Sequence, residues 1–395
     1  MKTPAPQLPE RKKDVPQTEN RTPQYKTENL PKISTLALLQ CPVTKSALKL
    51  ADAETLDKWN QLRLENKLFH LDGSVVRQPI EAALINTDSQ LLYGIYDDIA
   101  ILLPTLAMTD NPNLAGSLSM SVETQVIQSF YEKIGWQKTA TDVFEDAQQF
   151  EDLRPVMRSY IENCHLRVNK FIAPKGDFLL DAASGPIQYD AYLSYSEGYS
   201  YRICADISFS ALKQAQQKLG SKGIYLLCDL TALPLKDNAV NAFVSLHTIY
   251  HIAAAQQITA LTELNRVLKK GFSGVVVYSW GNHFTLMTLF QPRLLLQKIR
   301  NLRHFQAEKP ISEASIQAAG FYFHAHPPRW FDEVLTKKFD INLATWRSLN
   351  VWVGRRFIKS WFFGKLILKI LFFLENQCPR FLGRYGQYPL FIFKK

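Results

Sequence analysis

The 395-residue chain has no run of about 20 apolar residues, the length a helix needs to cross a bilayer, so a helical membrane span is not expected. Its five cysteines, Cys41, Cys164, Cys204, Cys228 and Cys378, are scattered and form no CxxC pair. That excludes a disulfide framework and points to a reducing compartment, the cytoplasm. Neither a phosphate-loop pattern nor a full GxGxxG is present, which removes the two glycine-rich nucleotide motifs with the firmest spacing. Residues 1–32 are nearly without apolar side chains and rich in Pro, Lys, Gln, Thr and Asn. Such a segment cannot bury enough surface to offset its chain entropy; a disordered tail is expected, and without an apolar core it does not read as a secretory leader.

What is present centres on Phe178 to Asp206, which reads FLLDAASGP, then a helix-length interval, then YRICAD. Two apolar runs each end in an acidic residue, with a glycine turn after the first. This is the opening of a doubly wound sheet, in which ligands sit at the carboxyl ends of the strands near the point where strand order reverses. Gly185 lets the backbone approach a nucleoside closely, and Asp206 ends the second strand where a carboxylate accepts ribose hydroxyls. Further strands follow: IYLLCD ending at Asp229, a fourth before SLHTIYHI, and GVVVYSW after a helix that closes at Gly271. The order of elements is that of a parallel α/β sheet.

Several blocks match one family in order and spacing: LLDAASGP, Asp206-Ile207-Ser208, Asp229-Leu230 with Leu233-Pro234-Leu235, and Leu264 to Lys269 before Gly271. On these the segment from about Phe178 to Trp280 resembles the class I S-adenosylmethionine-dependent methyltransferases, in particular those related to ubiquinone and menaquinone biosynthesis (methyltransferase type 11). The resemblance implies a Rossmann-like, seven-stranded doubly wound sheet with S-adenosyl-L-methionine as cofactor. It sets Asp181 near the methionine end, Ala183, Ser184 and Gly185 in the cofactor turn, Asp206 with Ile207 at the ribose, and Asp229 with Leu230 at the adenine. Ala183 and Ile187 stand where the family has glycine, and Asn241 where it commonly has Asp. Alanine suits position 183 if the turn needs no positive φ there.

The opening and closing stretches of the N-terminal region 33–115, LALLQCPVTKSALKL and LLYGIYDDIAILLP, resemble the small zinc-ribbon proteins related to the activator subunit of tRNA methyltransferases. Thr44 replaces the second cysteine, and Asn86, Thr87 and Asp88 occupy the region of the second pair, so the reading is an α+β ribbon-like domain without metal. Residues 116–175 read as a helical cap or linker, the resemblance putting Phe130, Tyr131, Trp136 and Arg154 within reach of the ligand. Residues 176–395 form the methyltransferase domain, with a helical insertion near 352–376.

His247, Tyr250 and His251 fall at the end of the fourth strand and are the candidate catalytic residues, His251 first among them. The acceptor must lose a proton, and histidine is the side chain best poised near neutrality to take it. Residues 281–395 carry 18 Lys and Arg against 6 Asp and Glu, about +12 where the whole chain is +10. A positive end meets anionic lipid, phosphorylated acceptors or nucleic acid. Its apolar stretch WFFGKLILKILFFL, broken by Lys365 and Lys369, suits burial or a membrane interface. The expected function is methyl transfer to a small-molecule, lipid-linked or glycan acceptor by a cytoplasmic enzyme, with membrane association through this basic end. The alternatives are an RNA methyltransferase, disfavoured by the lack of a (D/N)PPY motif and of an aromatic-basic RNA module, and a non-catalytic scaffold.

Overall fold

The computed structural model describes residues 33–88, 90–140, 143–281, 285, 286, 288, 313–359 and 362–395. The tail expected over 1–32 and most of residues 284–305 lie outside them. The chain divides into two compact units, Met1–Met120 and Ser121–Lys395.

In the first unit an antiparallel sheet runs in the order β1 (Leu48–Leu50), β3 (Ala83–Asn86), β4 (Leu92–Tyr96), β5 (Ile99–Ile101). Short strands β2 (Phe69–His70) and β6 (Met108–Thr109) pair with each other, and β6 also with β4. Helix α1 (Ala53–Leu64) starts where the Asp52 carboxylate accepts the Thr55 amide at 2.8 Å, and buries Leu56 and Trp59 against Leu68, Ile80, Leu92 and Met108. Cys41 is buried, its Sγ accepting the Thr44 amide at 3.3 Å and lying 3.1 Å from the Tyr93 hydroxyl. Among the described residues no three His, Cys, Asp or Glu side chains converge as a metal site would require. Apolar packing around Trp59 holds this unit.

The second unit contains the expected seven strands: β7 (Gly176–Ala182), β8 (Tyr199–Asp206), β9 (Gly223–Leu227), β10 (Ala242–Leu246), β11 (Ser273–Val277), β12 (Ile341–Arg347) and β13 (Tyr388–Lys394). Their order is β9-β8-β7-β10-β11-β13-β12, parallel as far as β11 and antiparallel at β13. Order reverses between β7 and β10, so the crevice for a ligand opens beyond their carboxyl ends. The fold is therefore Rossmann-like. Its central strands are buried nearly throughout, as parallel strands covered on both faces must be.

Three local expectations differ from what is observed. Between β7 and β8 the chain makes a seven-residue 3-10 turn, Asp190–Ser196, where a full helix was expected. Residues 321–326, FYFHAH, whose aromatic sequence predicts a short strand, form none: the His324 amide donates to Tyr250 O at 2.8 Å and the Tyr322 carbonyl accepts from the His251 ring, so these backbone groups serve the 3-10 turn after β10 and not a ladder. The long helix expected over 352–375 is two, α6 (Val351–Phe357) and α7 (Phe362–Gln377). The break follows from Arg154, whose guanidinium donates to the carbonyls of Gly354 and Ile358 at 2.7 and 2.9 Å while paired with Asp152. Gly354 O also accepts the Ile358 amide at 3.0 Å, and Ile358 is the residue that ends α6, so the guanidinium caps the last turn of that helix.

Helix α7 is held through one carboxylate. Glu375 is buried, and it accepts hydrogen bonds from Tyr160 Oη (2.6 Å), Arg167 Nη2 (2.9 Å), Ser348 N (2.8 Å) and Ser348 Oγ (2.7 Å). Tyr160 comes from helix α3 (Arg158–Leu166) and Ser348 follows β12, so three elements meet at this point. Glu375→Ala should lower unfolding free energy by about 3–5 kcal/mol, because it strands the buried Arg167 charge. Denaturant unfolding of both proteins checks this.

Candidate active site

The turn after β7 is shaped by backbone conformation. Ala183, Gly185 and Ile187 all have positive φ, 61°, 54° and 54°, alternating with ordinary residues. The condition under which alanine suited position 183 is thus not met: both non-glycine residues sit in the left-handed region, at a cost of about 1–2 kcal/mol each. Neighbouring bonds hold them there. Ala183 N donates to Ala205 O at 2.7 Å, and Gly185 N donates to Asp206 Oδ2 at 2.8 Å.

Asp206 ends β8 and is buried, its other oxygen accepting the Ser208 amide at 2.9 Å. Burial raises its pKa to about 6, with the nearby carboxylates of Glu132 and Asp181 adding to the shift and the two amides opposing it. Ser208 then caps helix α4 (Phe209–Leu219) by accepting the Ala211 amide. Asp181 faces elsewhere: Arg202 on β8 donates to its Oδ2 through both Nε, at 3.0 Å, and Nη2, making a buried ion pair. Asp229 turns onto its own chain, accepting Thr231 N and Oγ1 at 2.8 Å each, with Leu230 buried beside it. Ser184 donates to the Gly185 carbonyl, and Ile207 offers its own carbonyl to Gln128.

An aromatic cover closes over the turn from helix α2 (Val122–Phe130) and the wide helical turn Tyr131–Gly135. Trp136 lies against Gly185 so closely that a Cβ there would come within 3.0 Å of the indole. Tyr131 stacks on Trp136 with centroids 4.8 Å apart, and the Tyr131 and His251 rings meet edge to face with centroids 6.3 Å apart. The cover is latched to the β8 to α4 connection: Gln128 Nε2 donates to Ile207 O at 3.0 Å, Glu132 accepts the amides of Phe209 and Ser210, and Gln214 donates to Trp136 O. Phe130 packs on Tyr131 and Phe321 and not on the turn. Arg154 is engaged at the break between α6 and α7, with Asp152 and two carbonyls.

His247 and His251 face different neighbours, because His247 itself has a positive φ of 59°. His251 Nδ1–H donates to Tyr322 O at 2.9 Å, which leaves Nε2 with the lone pair, and enclosure by rings lowers its pKa to about 4. His247 shares a 3.0 Å hydrogen bond with the Tyr250 hydroxyl and lies edge-on to Trp346 and Tyr388. Burial and then the Arg347 charge push it well below its ordinary value. Tyr250 touches both histidines.

A second cluster at the same edge went unseen in the sequence. Arg347, at the end of β12, lies over the rings of Trp346 and Tyr388 and pairs with Glu151 at 2.7 Å. His165 from α3 packs on Tyr189, Tyr192 and Trp346. Three of its buried nitrogens, His165 Nε2, Trp346 Nε1 and Arg347 Nε, have no hydrogen-bond partner. A charged residue closing the otherwise uncharged strand INLATWR was the one available signal.

Open Rossmann-like sheets with an acidic residue after the second strand are a common architecture of nucleoside-binding proteins, and this unit has that architecture. Within it, residues 180–276 match a family described as a methyltransferase domain. That match covers about a quarter of the chain, all of it within the second unit. No curated protein matches the sequence. Among solved structures it is similar to Haemonchus contortus phosphoethanolamine N-methyltransferase 2 (15% identity, 59% of this chain and 52% of that one, TM-score 0.37). It is also similar to the complex of Haloferax volcanii Trm112 methyltransferase activator with a putative methyltransferase (14%, 60% and 90%, 0.37). A third is geranyl diphosphate C-methyltransferase from Streptomyces coelicolor (12%, 70% and 98%, 0.42). The chain spans about half the length of the first of these.

The strained turn gives a direct test. Ala183→Gly should raise unfolding free energy by about 1 kcal/mol, since relief of the left-handed alanine exceeds the added freedom of the unfolded chain. Gly185→Ala should lower it and displace Trp136. Thermal unfolding with tryptophan fluorescence reads both.

Proposed function

We propose that the second unit transfers a methyl group from S-adenosylmethionine to a small-molecule or lipid-linked acceptor with an anionic or hydroxyl-bearing head. The observation that carries this reading is the Asp206 carboxylate, buried and fixed by two amides beside a glycine that lacks the side chain to obstruct a ligand. The residues fit a nucleoside cofactor: Gly185 provides close approach, Asp206 retains lone pairs for ribose hydroxyls, and Asp229 with Leu230 borders the adenine side. Tyr131 and Trp136 would cover it, and the buried, unpartnered Trp136 Nε1 is a donor without a ligand.

The bound cofactor supplies an electrophilic methyl on a sulfonium. The protein's work is alignment, exclusion of water and management of the acceptor's proton. His251 takes that proton on Nε2, because Tyr322 O holds the other nitrogen as the donor; burial, which lowers the ring's pKa to about 4, keeps it neutral at physiological pH but makes it a weaker base than a free imidazole. The unpartnered donors of Trp346 and Arg347, with His165, suit an acceptor head rich in hydrogen-bond acceptors, since buried polar groups without partners are costly unless a ligand meets them.

Calorimetric titration with S-adenosylmethionine and S-adenosylhomocysteine tests the cofactor site. Wild type should bind, Asp206→Ala should bind at least about tenfold more weakly, and wild-type affinity should fall as pH drops through about 6, where Asp206 gains a proton. No binding by folded wild type would sink the reading. Using radiolabelled methyl and fractionated lipid and metabolite extracts, His251→Ala should slow transfer about 10²-fold or more while cofactor affinity stays close to wild type.

A further inference from the structure

Helix α7 is not covered where its sequence is most apolar. Phe363, Leu366, Ile367, Ile370, Phe373 and Leu374 are 41 to 60% exposed. At 100° per residue these six share one arc of the helix surface, while Gly364, Leu368 and Glu375, which are buried, occupy another. Lys365 and Lys369, both exposed, lie between the two arcs and border the apolar one. An apolar stripe of this length is not the ordinary surface of a helix, which turns charged residues to water.

The charges around it select the partner. From residue 341 to the end there are ten Lys and Arg and one acid, Glu375, which is buried in its pair with Arg167. Arg356, Lys359, Lys365, Lys369 and Arg380 are all exposed along or beside the helix. Phe357 and Phe381 add exposed rings at its two approaches. A second copy of this chain would bring like charge against like charge. An anionic lipid surface offers the opposite charge and an apolar layer beneath it, and long lysine stems reach from that layer to the headgroups.

We propose that α7 is an interfacial helix by which this protein docks on anionic membranes, the six apolar side chains entering the acyl boundary and the flanking lysines and arginines meeting lipid phosphates. At 16 residues, roughly 24 Å, α7 is shorter than the roughly 30 Å hydrocarbon core, and no helix among the described residues is long and apolar enough to cross a membrane. It lies along the surface. The inference concerns binding and not turnover, so it stands or falls separately from methyl transfer.

The test is co-sedimentation of the full chain with phosphatidylcholine vesicles, with and without phosphatidylglycerol, at increasing salt. Wild type should partition at least about tenfold better onto the anionic vesicles, and raising salt should weaken it. The double variants Ile367→Ser with Ile370→Ser, and Lys365→Glu with Lys369→Glu, should each lose about tenfold or more of that binding with unchanged thermal unfolding, since all four positions are exposed. No sedimentation with anionic vesicles, equal binding to both vesicle types, or apolar variants that bind like wild type would overturn the proposal. So would a stable dimer that the Ile367→Ser, Ile370→Ser protein fails to form.

Discussion

The buried carboxylate of Asp206 is the point on which the second unit's site depends. It receives the amide of Gly185 from the turn after β7 and the amide of Ser208 from the start of α4, so the ends of two strands and the head of a helix share one acceptor. Burying a charge is expensive unless donors surround it, and here the donors are backbone groups that cannot rotate away. The strained turn is held from this side. Ala183 and Ile187 keep left-handed conformations that isolated residues would leave, and the cover from α2 fastens to the same connection through Gln128 and Glu132.

Strand order and strand ends were legible because they rest on local chemistry: short apolar runs closed by Asp206 or Asp229, a turn glycine, a helix ending at Gly271. The seven strands appear in the expected sequence, including the two that flank the helical insertion. What the sequence concealed are meetings of distant residues. Trp136 on Gly185, Glu132 under α4, Arg202 on Asp181 and His165 beside Trp346 have no shared spacing to betray them. The break between α6 and α7 was hidden for the same reason, since its cause is Arg154, some two hundred positions earlier. The aromatic residues of FYFHAH have strand-like propensity, yet tertiary hydrogen bonds to the turn after β10 outweigh it.

Spacing misled in one further respect. His247 and His251 are separated by a helical turn's worth of sequence and read as one cluster, but the left-handed backbone at His247 divides them. One ring joins the cover over the glycine turn. The other joins the Trp346 and Arg347 wall, with Tyr250 between. A single short motif therefore furnishes two sides of the crevice, which a count of histidines does not reveal.

Glu375 gives α7 no slack. A helix pinned near its end by four hydrogen bonds to one carboxylate cannot change tilt without breaking several of them, and one donor, Ser348, is the residue next to Arg347. Mechanically, the outer helix and the inner wall of the crevice are one rigid lever: a torque applied at Phe363 is delivered at β12 with no hinge among these bonds to absorb it.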